Sequence, residues 1–167
     1  FEYAGKLISS ETTVPAPPSG LTISAEEVYI DEDEYQDNPF AFMEGLPQIE
    51  LNWDESEGDY FFVLVENIEE EPVDIDLGEI SDRMDNFRFI SRPVPFNDYI
   101  LMPMMIIQQY GTHLIRVFKL NQEYADLYES MEQDSRNLNE PLTNIENGLG
   151  VFTAFSCDSI YLEVIND

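Results

Sequence analysis

Apolar and polar positions alternate along much of the chain, the period of strands with one buried face. In Gln48-Ile49-Glu50-Leu51-Asn52-Trp53 the alternation puts Ile49, Leu51 and Trp53 on one side. Residues 60–65 form a β-branched and aromatic run dense enough for a central strand, with Phe62 joining Trp53 in the core. Shorter strands are predicted at Leu21-Thr22-Ile23 and Phe87-Arg88-Phe89-Ile90. Residues 99–107 and 112–120 give two more across a turn at Tyr110-Gly111, and residues 151–155 and 160–164 give the last two. The period changes once. Tyr124, Leu127, Tyr128 and Met131 recur at helical spacing, which predicts an amphipathic helix over 122–133 with Asn121 as its N-cap. Asn147-Gly148-Leu149-Gly150 reads as a turn, since it lacks the strand, helix and third glycine of a dinucleotide loop. Val14-Pro15-Ala16-Pro17-Pro18 cannot donate into a ladder and reads as an extended lead-in. The pattern predicts a mainly β, antiparallel β-sandwich over 14–167, with one helix inserted before the last strands. Residues 1–13 form an N-terminal arm or the end of a preceding β domain.

Charge changes the picture of the first half. The 167 residues carry 7 Lys and Arg against 35 Asp and Glu, a formal net charge of −28. Between Leu7 and Asp82 there are 22 acids and no base. Runs such as Asp31-Glu32-Asp33-Glu34 and Glu69-Glu70-Glu71 repel themselves and read as solvated loops, so residues 26–38 are expected to be a long surface loop. Nucleic acid and anionic lipid, both polyanions, are excluded as direct partners. The longest apolar stretch, 99–107, is too short to span a bilayer and is broken by Pro103. The chain opens at Phe1 with no basic-then-apolar leader, so it reads as a mature or trimmed product.

Few residues carry chemistry. One cysteine, Cys157, excludes an intrachain disulfide framework; with no basic neighbour it reads as a small packed thiol. The one histidine, His113, lies in an alternating strand and reads as structural rather than catalytic. Asp31, Asp33 and Asp37 offer oxygen ligands at alternating positions, which makes them calcium candidates. The EF-hand pattern fails there, with Gln36 at the glycine position and Phe42 at that of the bidentate acid, and a solvated loop is preferred. With so many carboxylates, no acid/base pair stands out. The sequence predicts no catalytic residue and no cofactor.

Two segments resemble a known family. Thr12-Thr13-Val14-Pro15-Ala16-Pro17-Pro18, with residues 49–53 and Asp59-Tyr60-Phe61, looks like the opening of a fibronectin type III-like sandwich, the fibronectin/immunoglobulin class. Glu123-Tyr124-Ala125-Asp126-Leu127-Tyr128, then Glu140-Pro141-Leu142 and Asn144-Ile145-Glu146-Asn147-Gly148-Leu149-Gly150-Val151-Phe152, resembles the C-terminal half of the Bacteroidetes domain-of-unknown-function 4249 lipoproteins. The resemblance implies an exported protein, lipid-anchored at the outer membrane on its cell-surface or periplasmic side, and accessory to a TonB-dependent transporter or binding an extracellular glycan or protein. Members usually carry a further N-terminal β domain, which makes residues 1–10 the tail of its last strand. The chain departs from the family in lacking that domain and the lipid-bearing cysteine, since Cys157 lies near the other end; it reads as a fragment or a shortened relative. No activity is carried over. Asp158-Ser159-Ile160 is similar to the sequon for O-glycosylation of exported Bacteroidetes proteins, which marks Ser159. The expectation is a non-catalytic binding domain; the alternatives are a carboxylate-dependent extracellular glycoside hydrolase and a calcium-dependent adhesion module.

Overall fold

A computed structural model describes residues 2–3, 5–32, 48–54, 58–76, 88–131 and 142–167. The predicted mainly β architecture is what it shows. A five-stranded sheet is built from β5 (Glu27–Ile30), β7 (Phe61–Asn67), β8 (Arg88–Ile90), β10 (Gly111–Leu120) and β12 (Phe155–Asn166), in the order β5-β12-β10-β7-β8. A three-stranded sheet runs β4-β6-β9, from β4 (Thr22–Ile23), β6 (Ile49–Asn52) and β9 (Asp98–Leu101). Both send alternate residues into one apolar core: Val28, Ile30, Phe61, Val63, Val65, Ile115, Val117, Leu162 and Val164 from the larger sheet, and Ile49, Leu51 and Leu101 from the smaller. The two sheets therefore form a sandwich.

Two smaller pairs involve the N-terminal arm, one within it and one that ties it down. β1 (Glu2–Tyr3) pairs with β2 (Lys6–Leu7), and β3 (Ser9–Ser10) pairs with β11 (Ile145–Glu146). The turn after β11 places Asn147 at φ 57°, a left-handed conformation asparagine tolerates, and its side-chain amide donates to the Leu7 carbonyl at 2.9 Å. At the start of β10, Gly111 has φ 96°, and a Cβ there would lie 2.5 Å from Cγ of Glu69. That close approach lets the Glu69 carboxylate accept the Thr112 amide.

Several expectations need correction. Residues 26–38 are not all loop: Glu27–Ile30 is a strand, paired parallel to β12, with Val28 and Ile30 buried. The acidic run hid a short alternation, and the sheet is mixed at this edge rather than wholly antiparallel. Of that stretch, residues 33–38 lie outside the described residues. The strand expected over 99–107 stops at Leu101, and Pro103 opens a one-turn helix, α1 (Pro103–Ile106). Proline has no N–H for a ladder but suits the first turn of a helix. The two strands expected at 151–155 and 160–164 are one, β12, because β10 pairs with it without a slip from Phe155 to Val164. Trp53 is in the core, but Phe62 is half-buried and Phe61 takes the inward position. In an unbroken apolar run, composition does not fix which set of alternate residues points inward.

The predicted helix is α2 (Gln122–Met131), with 132 and 133 outside the described residues. Asn121 caps it as expected, its Oδ1 accepting the Tyr124 amide at 3.2 Å. Among its described side chains the most deeply buried is Ala125, with Tyr124, Leu127 and Tyr128 half-buried. The side chain of Met131 is outside the described set.

Candidate functional site

The pairing of β10 with β12 sends odd-numbered β12 residues to the outer face of the large sheet, opposite the core. At one end of that face Phe62 stacks on Phe118, with ring centres 4.6 Å apart, and Phe155 meets Phe62 edge-on. Tyr124 of α2 packs edge-on against Phe155 at 5.3 Å, so the helix covers this end. In the middle of the face, Glu66 accepts hydrogen bonds from both Arg88 and Arg116. Burial alone would raise the Glu66 pKa; the two guanidinium groups outweigh it and hold the carboxyl below its usual range.

The other end is open and acidic. Where β5 joins β12, a cleft of about 370 Å³ is lined by Glu26, Glu27, Ile160, Tyr161 and Glu163. Strand pairing builds it: Glu27 lies opposite Glu163, and the Glu163 amide donates to the Glu26 carbonyl at 2.8 Å. Both tyrosines here are exposed, Tyr29 at 53% and Tyr161 at 56%. The Tyr29 hydroxyl donates to Glu27 at 2.6 Å, and that bond, with the carboxylate's charge, raises its pKa. A cleft lined by glutamates and an exposed tyrosine suits an ammonium or guanidinium group, through charge-assisted hydrogen bonds and contact with the ring face. Beyond the cleft, Glu32 accepts the Tyr110 hydroxyl at 3.0 Å and the Asp76 amide at 3.1 Å, fastening the end of β5.

The residues singled out from sequence do not converge here. Asp31 is exposed just after β5, while Asp33 and Asp37 lie outside the described residues. Among the described residues no group of three or more His, Cys, Asp or Glu is placed to hold a metal ion. His113 is buried inside the sandwich, its Nδ1–H donating to the Gly111 carbonyl at 3.1 Å. Burial lowers its pKa, against the opposing pull of that bond and of the Glu163 and Glu69 charges. Cys157 is exposed, which corrects the packed-thiol reading: it is odd-numbered on β12 and so points outward. Ser159 is exposed on the same strand, with its amide held by Asp158 Oδ1 at 2.8 Å.

Sequence reasoning missed Glu26, Glu27, Tyr161 and Glu163. The signal was the alternation Glu27-Val28-Tyr29-Ile30, set inside a charge run. The model of one protein family, described as a domain of unknown function (DUF4249), matches residues 2–160. Comparison with curated proteins and with solved structures finds no significant match.

Proposed function

The chain belongs to the DUF4249 family, and from that premise we propose that it is a non-catalytic binding domain whose acidic cleft receives a cationic partner. The observation that carries this reading is the cleft itself, with Glu26, Glu27 and Glu163 beside the exposed Tyr161. Its setting is a lipid-anchored protein at the outer membrane, accessory to a TonB-dependent transporter or holding an extracellular ligand; the family resemblance supports that setting. No cofactor enters this reading. Strand orders β4-β6-β9 and β5-β12-β10-β7-β8 support the finer reading of a fibronectin type III-like sandwich. Exposure of Ser159 supports its being an O-glycosylation site in the native host.

Calorimetric titration with an oligolysine peptide tests the cleft. Binding is expected at low salt, weakened severalfold in Glu27→Gln and Glu163→Gln and again by 0.5 M NaCl, as for screened charges. Absence of binding at low salt overturns the reading. So does turnover of a polysaccharide or peptide substrate that disappears when one particular carboxylate becomes alanine.

A further inference from the structure

We propose that the edge of β12 left unpaired among the described residues takes up an extended, basic segment of another protein as an added strand, with its cationic end seated in the acidic cleft. This rests on the cleft reading above and deepens it by naming how the partner is held.

Strand β12 is twelve residues long, but its two sides are used unequally. β10 pairs with it from Phe155 to Val164 on one side, whereas β5 pairs only with 163–166 on the other. Among the described residues, nothing pairs with the outer side of 155–162. The hydrogen bonds fix which groups point there. The amides of Glu163 and Asp167 donate to Glu26 and Ile30 of the β5 side, at 2.8 and 3.0 Å. Odd-numbered residues of β12 therefore turn their N–H and C=O groups to that side. Cys157, Ser159 and Tyr161 must do the same along the open stretch, since the register with β10 runs without a bulge. Asp158 occupies the Ser159 amide. The groups of Cys157 and Tyr161 remain as a template for strand addition.

Open edges are usually guarded by charged side chains, lysine above all, by proline or by a bulge. Residues 155–162, Phe155-Ser156-Cys157-Asp158-Ser159-Ile160-Tyr161-Leu162, contain neither Lys nor Pro, and their one charge, Asp158, is negative and so favours a basic occupant. The occupant follows from charge. Asp158 lies on the edge, Glu26, Glu27 and Glu163 line its end, and residues 155–167 contain no Lys or Arg. A second copy of this chain would bring another −28 to the contact, so edge-to-edge self-association is opposed. A basic partner segment with β-branched or aromatic residues at alternate positions fits both features.

The test uses two synthetic decapeptides of identical sequence, alternating Val and Lys, one carrying N-methyl groups on all its backbone amides. They share charge and side chains, but only the unmodified one can extend a sheet. Amide exchange is followed by NMR on the intact chain. Expected are fast exchange of Cys157 and Tyr161 in the free protein, strong slowing with the unmodified peptide, and at least tenfold weaker binding of the methylated one. Cys157→Pro, which removes an edge donor away from the cleft and at a position where an edge strand accepts proline, should lower binding of the unmodified peptide to the methylated level. Equal binding of both peptides without protection overturns strand addition while leaving the cationic cleft standing. No binding of either at low salt overturns both. Cys157 and Tyr161 amides already protected in the free protein, or a peptide-independent dimer formed through this edge, also overturn the proposal.

Discussion

His113 and Glu66 each contribute to the pH response of the fold, in different windows. Burial lowers the His113 pKa, so the folded state holds the ring neutral while the unfolded chain takes up a proton as pH drops below the ordinary 6.5. The unfolded state then binds more protons, and stability falls on acidification through that window, by at most about 1.4 kcal/mol per pH unit. Glu66 acts lower. Its folded pKa lies below the ordinary 4.5, so its contribution is intact above that value and is lost as pH falls through the folded pKa. Denaturant titrations of the wild type from pH 7 to pH 5 should show declining stability, and His113→Gln should flatten that decline without changing the loss below pH 4.5. An equal slope in the variant would show that burial of the imidazole is not the cause.

At the scale of elements, the α2 junction depends on Asn121. Its Oδ1 accepts the Tyr124 amide and the Thr153 hydroxyl, and its Nδ2 donates to the Thr12 hydroxyl, so one buried side chain joins the arm, the helix and the approach to β12. Asn121→Ala removes the cap and leaves two hydroxyls without this partner, and should cost about 2 kcal/mol. Asn121→Asp keeps the acceptor, loses the donor and adds a negative charge that the helix N-terminus favours, so about half that cost is expected, measured by chemical denaturation. Equal losses in the two variants would assign the effect to Thr12 rather than to the cap. The cap was legible in sequence because it is local: an asparagine immediately before a helical period. The contacts with Thr12 and Thr153 join positions 109 and 32 residues away, which no local pattern carries.

For the whole molecule, self-repulsion opposes compactness. The formal charge is −28, and the described ion pairs, Glu66 with Arg88 and Arg116 and Asp59 with Lys119, neutralise only a few carboxylates. Raising ionic strength from 0.01 to 0.15 M shortens the screening length from about 30 to about 8 Å. Stability should then rise by roughly 1 kcal/mol, or about 2–4 °C in Tm for a chain of this size, in a thermal melt. A Tm that falls with salt would mean that the ion pairs outweigh the repulsion.

The sequence by itself determined where most strands lie, that the chain is β-rich, where its helix begins and how it is capped, and its likeness to the DUF4249 family. Each follows from a period, a cap residue or a motif spanning a few neighbouring positions. Only the tertiary structure decided that Phe61 rather than Phe62 faces the core, that 151–164 holds one final strand, and that Glu27–Ile30 is a strand at all. It also decided that, among the described residues, the outer side of β12 is paired only at 163–166. An apolar run has no phase until a partner strand sets one, and a four-residue alternation inside a charge run gains its stability from β12, more than a hundred residues away in sequence. The candidate site was invisible for the same reason: Glu26 and Glu27 meet Tyr161 and Glu163 only through that parallel pairing.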